Sequence, residues 1–293
     1  MSTEPSRMAV ISMSSNYIAL NRLPLLSLLH PRRRWTVLFA ALVVALLLWS
    51  WIVWQTNMPV WGATTLALAV IVPAAALKWR DDLLRWGPAV ALLSVLIAMQ
   101  GFHTIEHAVQ LIQYHVLKWA PFKSSGLISA ANSEWIHFTW NWLVVACVAY
   151  LVWQGMRSWW AWALLIWAVA HGIEHTYMLV RFYQAVDEIY RLAIGNTGLV
   201  QGLPGILGRD GWLAYSGLCG RIPGLTTASR IDVHFWWNTG EIVLLLLASH
   251  PFLKQRLGTG DGEFTAKAQR PQRKAEEERE LSADYTDFQD SQR

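Results

Sequence analysis

Between Trp35 and Trp54 the chain runs for 20 residues without one charged side chain. Coiled as an α-helix at about 1.5 Å per residue, such a run is roughly 30 Å long, which is the thickness of a bilayer's hydrocarbon core. A segment of this kind points across a membrane, and the rest of the sequence agrees. Of 293 residues, 54% are hydrophobic, 15% are charged and 19 are tryptophan, a balance too apolar for an ordinary soluble domain. Residues 254–293 alone carry 8 basic and 9 acidic side chains, so the body is more apolar still. Its positive balance lies beside apolar runs, where it orients a membrane protein; it does not form a surface for nucleic acid.

The same reading gives further spans. A second covers Pro59–Leu77, with Pro73 kinking it as membrane helices allow. A third starts at Pro88, a favoured first-turn residue, and continues to about Leu117. A fourth runs over Glu134–Met156, a fifth from Trp159 to about Tyr183, and a sixth over Ile231–Leu253. The expected fold is therefore all-α, a polytopic membrane helical bundle of six transmembrane helices. Its expected organisation is an N-terminal segment 1–34, helices 1 and 2 over 35–77, helices 3 and 4 over 86–156, helices 5 and 6 over 157–253 with a long loop 184–230, and a disordered tail 254–293. An interrupted apolar patch at 17–29 is expected to lie on the membrane surface.

Arg32, Arg33 and Arg34 fall on the same side as Lys78, Arg80, Arg85, Arg157, Lys254 and Arg256. The positive-inside rule then places both termini in the cytoplasm. No cleavable signal peptide is expected, because the first long apolar run begins only at Trp35. Cys147 and Cys219 offer neither a disulfide framework nor a paired-thiolate metal site.

Within this apolar body the polar residues repeat. Helix 3 carries His103-Thr-Ile-Glu106-His107, and 68 residues later helix 5 carries His171-Gly-Ile-Glu174-His175. Helix 4 opens with His137-Phe-Thr-Trp140-Asn141, and helix 6 with His234-Phe-Trp-Trp237-Asn238. H-x-I-E-H followed by H-F-x-W-N thus occurs twice in the same order, which predicts an internal repeat of helices 3-4 and 5-6 about a pseudo-twofold along the membrane normal. Residues i, i+3 and i+4 share a helix face. His103, Glu106, His107 and Gln110 therefore form one stripe, and His171, Glu174 and His175 another. Glu134, His137 and Asn141 share a face, as do His234, Asn238 and Glu241. The copies differ: Glu134 corresponds to Ile231, and Glu241 to Val144.

Ionisable groups at membrane depth cost several kcal/mol unless paired, hydrated or bound to a cation. A transition metal is the partner that suits this set, since neutral imidazole binds Zn, Cu, Fe or Ni and two His at i and i+4 can reach one ion. His103, His107, His137, His171, His175 and His234, with Glu134 and Glu241, are the expected metal ligands. Glu106 and Glu174 are the expected catalytic groups, as proton carriers or bases. Asn141, Asn238, Gln110, Gln113 and Tyr114 read as polar neighbours, and His30, His115 and His250 as incidental. The competing reading for the whole set is His–Glu hydrogen bonding between helices.

H-x-x-E-H resembles the inverted zinc-protease motif over five residues in each copy, a resemblance that implies zinc on the two His and water activation by the Glu. That pattern also requires an acidic ligand downstream. The H-x-x-H-H boxes of membrane hydroxylases and desaturases are missing. The expected function is an integral membrane metalloprotein, an oxidoreductase or hydroxylase acting on a hydrophobic small molecule reached through lipid, with iron or copper favoured over zinc. The alternatives are a zinc hydrolase, a haem electron-transfer protein, or a non-enzymatic proton or ion pathway or partner subunit, with a membrane-protein partner or homo-oligomer left open.

Overall fold

The structure, a computed structural model, describes residues 24–30, 34–128, 134–192, 203–217 and 221–258. About four-fifths of these are helical and no strand occurs among them. In chain order the helices are α1 (Pro24–Leu29), α2 (Trp35–Gln55), α3 (Val60–Trp86), α4 (Pro88–His115), α5 (Glu134–Trp153), α6 (Trp159–Arg191), α7 (Trp212–Tyr215) and α8 (Arg230–Gly258). A 3₁₀ turn lies at Pro121–Lys123. Packing divides the chain into residues 28–252 and the two ends, whose described parts are the start of α1 and the last residues of α8. The expectations for 1–23 and 259–293, and Cys219, fall outside the described residues.

Five helices, α2 to α6, are long and apolar enough to cross a membrane, and the architecture is that of a multi-pass membrane protein. Large apolar side chains cover their outer faces, as with Leu47, Trp54 and Ile166 at 66%, 84% and 70% exposure. Apolar surface on this scale needs lipid rather than water. α8 has the length, at 29 residues, but His234, Asn238 and Glu241 dilute its apolar character and it is not among the five.

Local chemistry sets the helix ends. A single residue, Gly87 at φ +81°, separates α3 from α4; a side chain would be strained in this left-handed region, and Pro88 then starts α4. Ser158 caps α6 by accepting the Ala161 N–H at 3.3 Å. Two helices outrun their apolar segments. α3 continues nine residues past Leu77 because its charges find partners: Lys78 donates to Asp82 and to Ser94 of α4, both at 2.5 Å, and Arg34 reaches Asp81 at 2.8 Å. α6 continues past Tyr183, with Asp187 and Arg191 pairing at 2.7 Å one turn apart. α2 packs on α3, α3 on α4, α4 on α5, and α5 on α6.

A candidate metal centre of six histidines

The polar stripes of α4, α5, α6 and α8 meet. On α4 the i, i+4 spacing sets the His103 and His107 rings 4.7 Å apart, and on α6 it sets His171 and His175 4.9 Å apart. His107 lies 5.6 Å from His234 of α8, His234 lies 5.1 Å from His175, His175 stacks on His137 of α5 at 5.3 Å, and His137 lies 5.8 Å from His103. Five imidazoles thus close a circuit, and His171 joins it through His175. Four of the six are almost wholly buried: His171 at 0%, His175 at 1%, His107 at 2% and His234 at 6%. The ligand atoms of His103, His107 and His137 all lie within 4.8 Å of one another.

The hydrogen bonds of these rings show where lone pairs are left. His107 donates Nδ1–H to Gln110 Oε1 at 2.9 Å, His171 donates Nδ1–H to Glu241 Oε2 at 3.2 Å, and His234 donates Nδ1–H to the Arg230 carbonyl at 2.9 Å. Each acceptor is an oxygen without a proton to give, so each ring carries its lone pair on Nε2. The Nε2 atoms of His103, His107 and His171, and both nitrogens of His175, are buried without a hydrogen-bond partner. Buried polar atoms are nearly always paired, and each orphan costs about 1–3 kcal/mol. A ligating histidine whose other nitrogen donates to a carboxylate, amide or carbonyl oxygen is the usual arrangement at a metal.

The glutamates take other positions. The Glu106 carboxylate accepts the main-chain N–H of Leu127 at 2.7 Å and of Ile128 at 3.0 Å. Glu174 accepts those of Ile206 at 3.0 Å and Leu207 at 3.3 Å. In each loop the residue before the two amides is a glycine, Gly126 or Gly205, where a Cβ would overlap the carboxylate. Glu134 pairs with Arg230 at 2.6 Å, and Arg230 also donates to the Leu203 carbonyl at 2.7 Å. Glu241, besides holding His171, accepts from Gln100 Nε2 at 2.5 Å.

Further relationships occur twice. Asn141 donates to the His137 carbonyl and Asn238 to the His234 carbonyl, both at 2.9 Å, and both leave a buried Oδ1 without a partner. His103 lies 6.2 Å from Trp140, and His171 stacks within 5° of parallel on Trp237 at 5.2 Å. Outside the cluster, His115 pairs with Asp232 at 2.6 Å.

Sequence reasoning did not single out three contributors. Gln100, fully buried, joins Glu241 to Trp140, whose indole N–H it accepts at 3.2 Å. Arg230 and the Gly126 loop are the others. The only sequence trace of the loops is the pair of short strings Gly126-Leu-Ile and Gly205-Ile-Leu. No family model matches the chain, and no curated protein or solved structure is significantly similar to it.

Chemically, the arrangement is a set of six imidazoles on four helices, four of them almost wholly buried. Bonds of about 2.0–2.1 Å to one ion hold ligand nitrogens roughly 3–3.5 Å apart, so the His103–His107–His137 trio, within 4.8 Å of one another, could hold an ion after closing by at most about 1.8 Å.

Proposed function

We propose that the chain is an integral membrane metalloprotein whose six histidines hold a transition metal, iron or copper, for oxidation or hydroxylation of a hydrophobic molecule that arrives through lipid. The observation that carries this reading is the set of buried imidazole nitrogens without partners on α4 and α6, those of His103, His107, His171 and His175, in a ring of histidines that His137 and His234 complete. His–Glu pairing between helices is the weaker explanation, because the bond from the Glu241 carboxylate to His171 uses Nδ1 and leaves Nε2 without a partner.

In this reading α8 is a sixth span, α4-α5 and α6-α8 are duplicated units, and both termini are cytoplasmic. The paired relationships of Glu106 with Glu174, Asn141 with Asn238, and Trp140 with Trp237 support the duplication. When bound, the metal supplies redox chemistry or polarises a substrate oxygen. The protein's part is to fix imidazole tautomers through Gln110, Glu241 and the Arg230 carbonyl, and to keep water out.

The hydrolytic reading asks Glu106 or Glu174 to take a proton from water, yet each carboxylate already accepts two loop amides. A haem would need a planar gap between rings, and successive rings of the circuit are only 4.7–5.8 Å apart. The test is metal analysis and absorption spectroscopy of the protein purified in detergent. Bound iron or copper is expected, and His103→Ala/His171→Ala should lose it. Zinc alone would replace this reading with the hydrolase, a Soret band with haem, and protein with no bound ion would end it.

A further inference from the structure

Resting on the metal reading above for the use of the lone pair it delivers, we infer that Gln100 is a positioning residue: backed by the Trp140 indole, it holds Glu241 so that His171 presents a bare Nε2 to the metal.

One hydrogen-bond chain passes through all four histidine-bearing helices. Trp140 of α5 donates its indole N–H to Gln100 Oε1 of α4 at 3.2 Å, and Gln100 donates Nε2–H to Glu241 Oε2 of α8 at 2.5 Å. The same carboxylate oxygen accepts Nδ1–H from His171 of α6 at 3.2 Å. Gln100 and His171 are 0% exposed and Glu241 1%, so bulk water reaches none of the three. Helical spacing puts the links on the ligand faces: Gln100 lies three residues before His103 and seven before His107, and Glu241 lies seven after His234.

The chain takes its direction from its fixed end. An indole nitrogen only donates, so the amide oxygen of Gln100 faces Trp140 and its NH2 group faces Glu241. Oε2 of Glu241 is thereby an acceptor, with no proton to offer His171. The ring donates from Nδ1, which leaves its lone pair on Nε2, a buried atom without a protein partner. Trp237, stacked at 5.2 Å and within 5° of parallel, sets the plane of the ring. Ligating imidazoles are commonly fixed by an acceptor on the far nitrogen; here that acceptor is itself fixed from two further helices.

The chain occurs once. By the register of the repeated strings, Ala168 and Val144 stand where Gln100 and Glu241 would, and Trp237 stands where Trp140 would. Both replacements are buried and apolar, and the Trp237 indole N–H is left without a partner. An amide and a carboxylate are costly to bury, yet they are kept at one of the two corresponding places, and their bonds lead to one imidazole.

The experiment reads the His171 tautomer by nitrogen NMR in the metal-free, full-length protein with labelled histidine, assigned with His171→Gln. The unaltered protein should carry the proton on Nδ1 alone. Gln100→Met should give a mixture of both tautomers, and Trp140→Phe, which keeps a ring and removes the indole N–H, a smaller shift in the same direction. In chelator competition for copper, Gln100→Met should weaken binding about 10-fold. It should cost nothing further in a Glu241→Ala background, because Gln100 acts through Glu241. A proton on Nε2 in the unaltered protein, a tautomer unmoved in both variants, or losses that add in full would overturn the positioning role and leave the metal reading intact. The expected tautomers in a protein that binds no metal would end the metal reading and leave the positioning role standing.

Discussion

Glu241 accepts the Nδ1–H of His171 at 3.2 Å, and the Nε2 of the same ring is left as a buried lone pair without a protein partner. A carboxylate placed this way makes an imidazole a better ligand, and its loss lowers metal affinity about 10–100-fold. Glu241→Gln should weaken binding by that factor without changing stoichiometry, as measured by competition with a chromophoric chelator. Wild-type affinity in both Glu241→Gln and Glu241→Ala would remove this role.

Glu106 and Glu174 each accept two main-chain amides of a loop. Glu106 receives its two amides on separate oxygens, so Glu106→Gln leaves one of them unpaired, at a cost of about 1–3 kcal/mol, whereas Glu174 receives both on Oε1, and there the test is Glu174→Ala. Hydrogen exchange should quicken at Leu127 or Ile128 in Glu106→Gln, and at Ile206 and Leu207 in Glu174→Ala, with metal content retained in both. Loss of metal while exchange stays slow would make the carboxylates ligands instead.

Gly126 and Gly217 have nearly the same backbone, φ +67° and +69°, but different surroundings. A Cβ at Gly217 meets nothing within 4 Å, whereas one at Gly126 overlaps the Glu106 carboxylate. Gly217→Ala should cost only the left-handed penalty of about 1–2 kcal/mol. Gly126→Ala should lower the thermal midpoint further and free the loop amides, and equal midpoints for the two variants would contradict the close approach.

Lys78 and Asp82 form an ion pair that is almost enclosed, 11% exposed on each side chain. Removing one partner leaves a charge stranded, typically at about 3–5 kcal/mol, while removing both is far milder. Lys78→Met should therefore be less stable than Lys78→Met/Asp82→Leu in a detergent unfolding titration. The reverse order would mean that the pair is solvated.

Much of the helical layout was legible from the sequence because its punctuation is local: Gly87-Pro88 and Ser158 mark helix starts by their own conformational chemistry. The far ends of α3 and α6 were not, since hydropathy stops at Leu77 and Tyr183 while pairing among charges carries each helix on. The histidines were legible through repetition, a signal that survives without knowing what they touch. The partners of the glutamates were not. Glu106 meets amides 21 and 22 residues away, and Glu174 amides 32 and 33 away, in loops that contribute main chain. The partner of Glu134, Arg230, lies 96 residues on.

The one-residue joint at Gly87 gives the cluster its bearing. Helices of 27 and 28 residues meet there without slack, so the compass heading of His103 and His107 is fixed at the far end of the rod that carries them. Adding a single residue between Pro88 and His103 swings everything beyond it by about 100°, and the two imidazoles would turn out of the circuit while every hydrogen bond along the helix stayed intact.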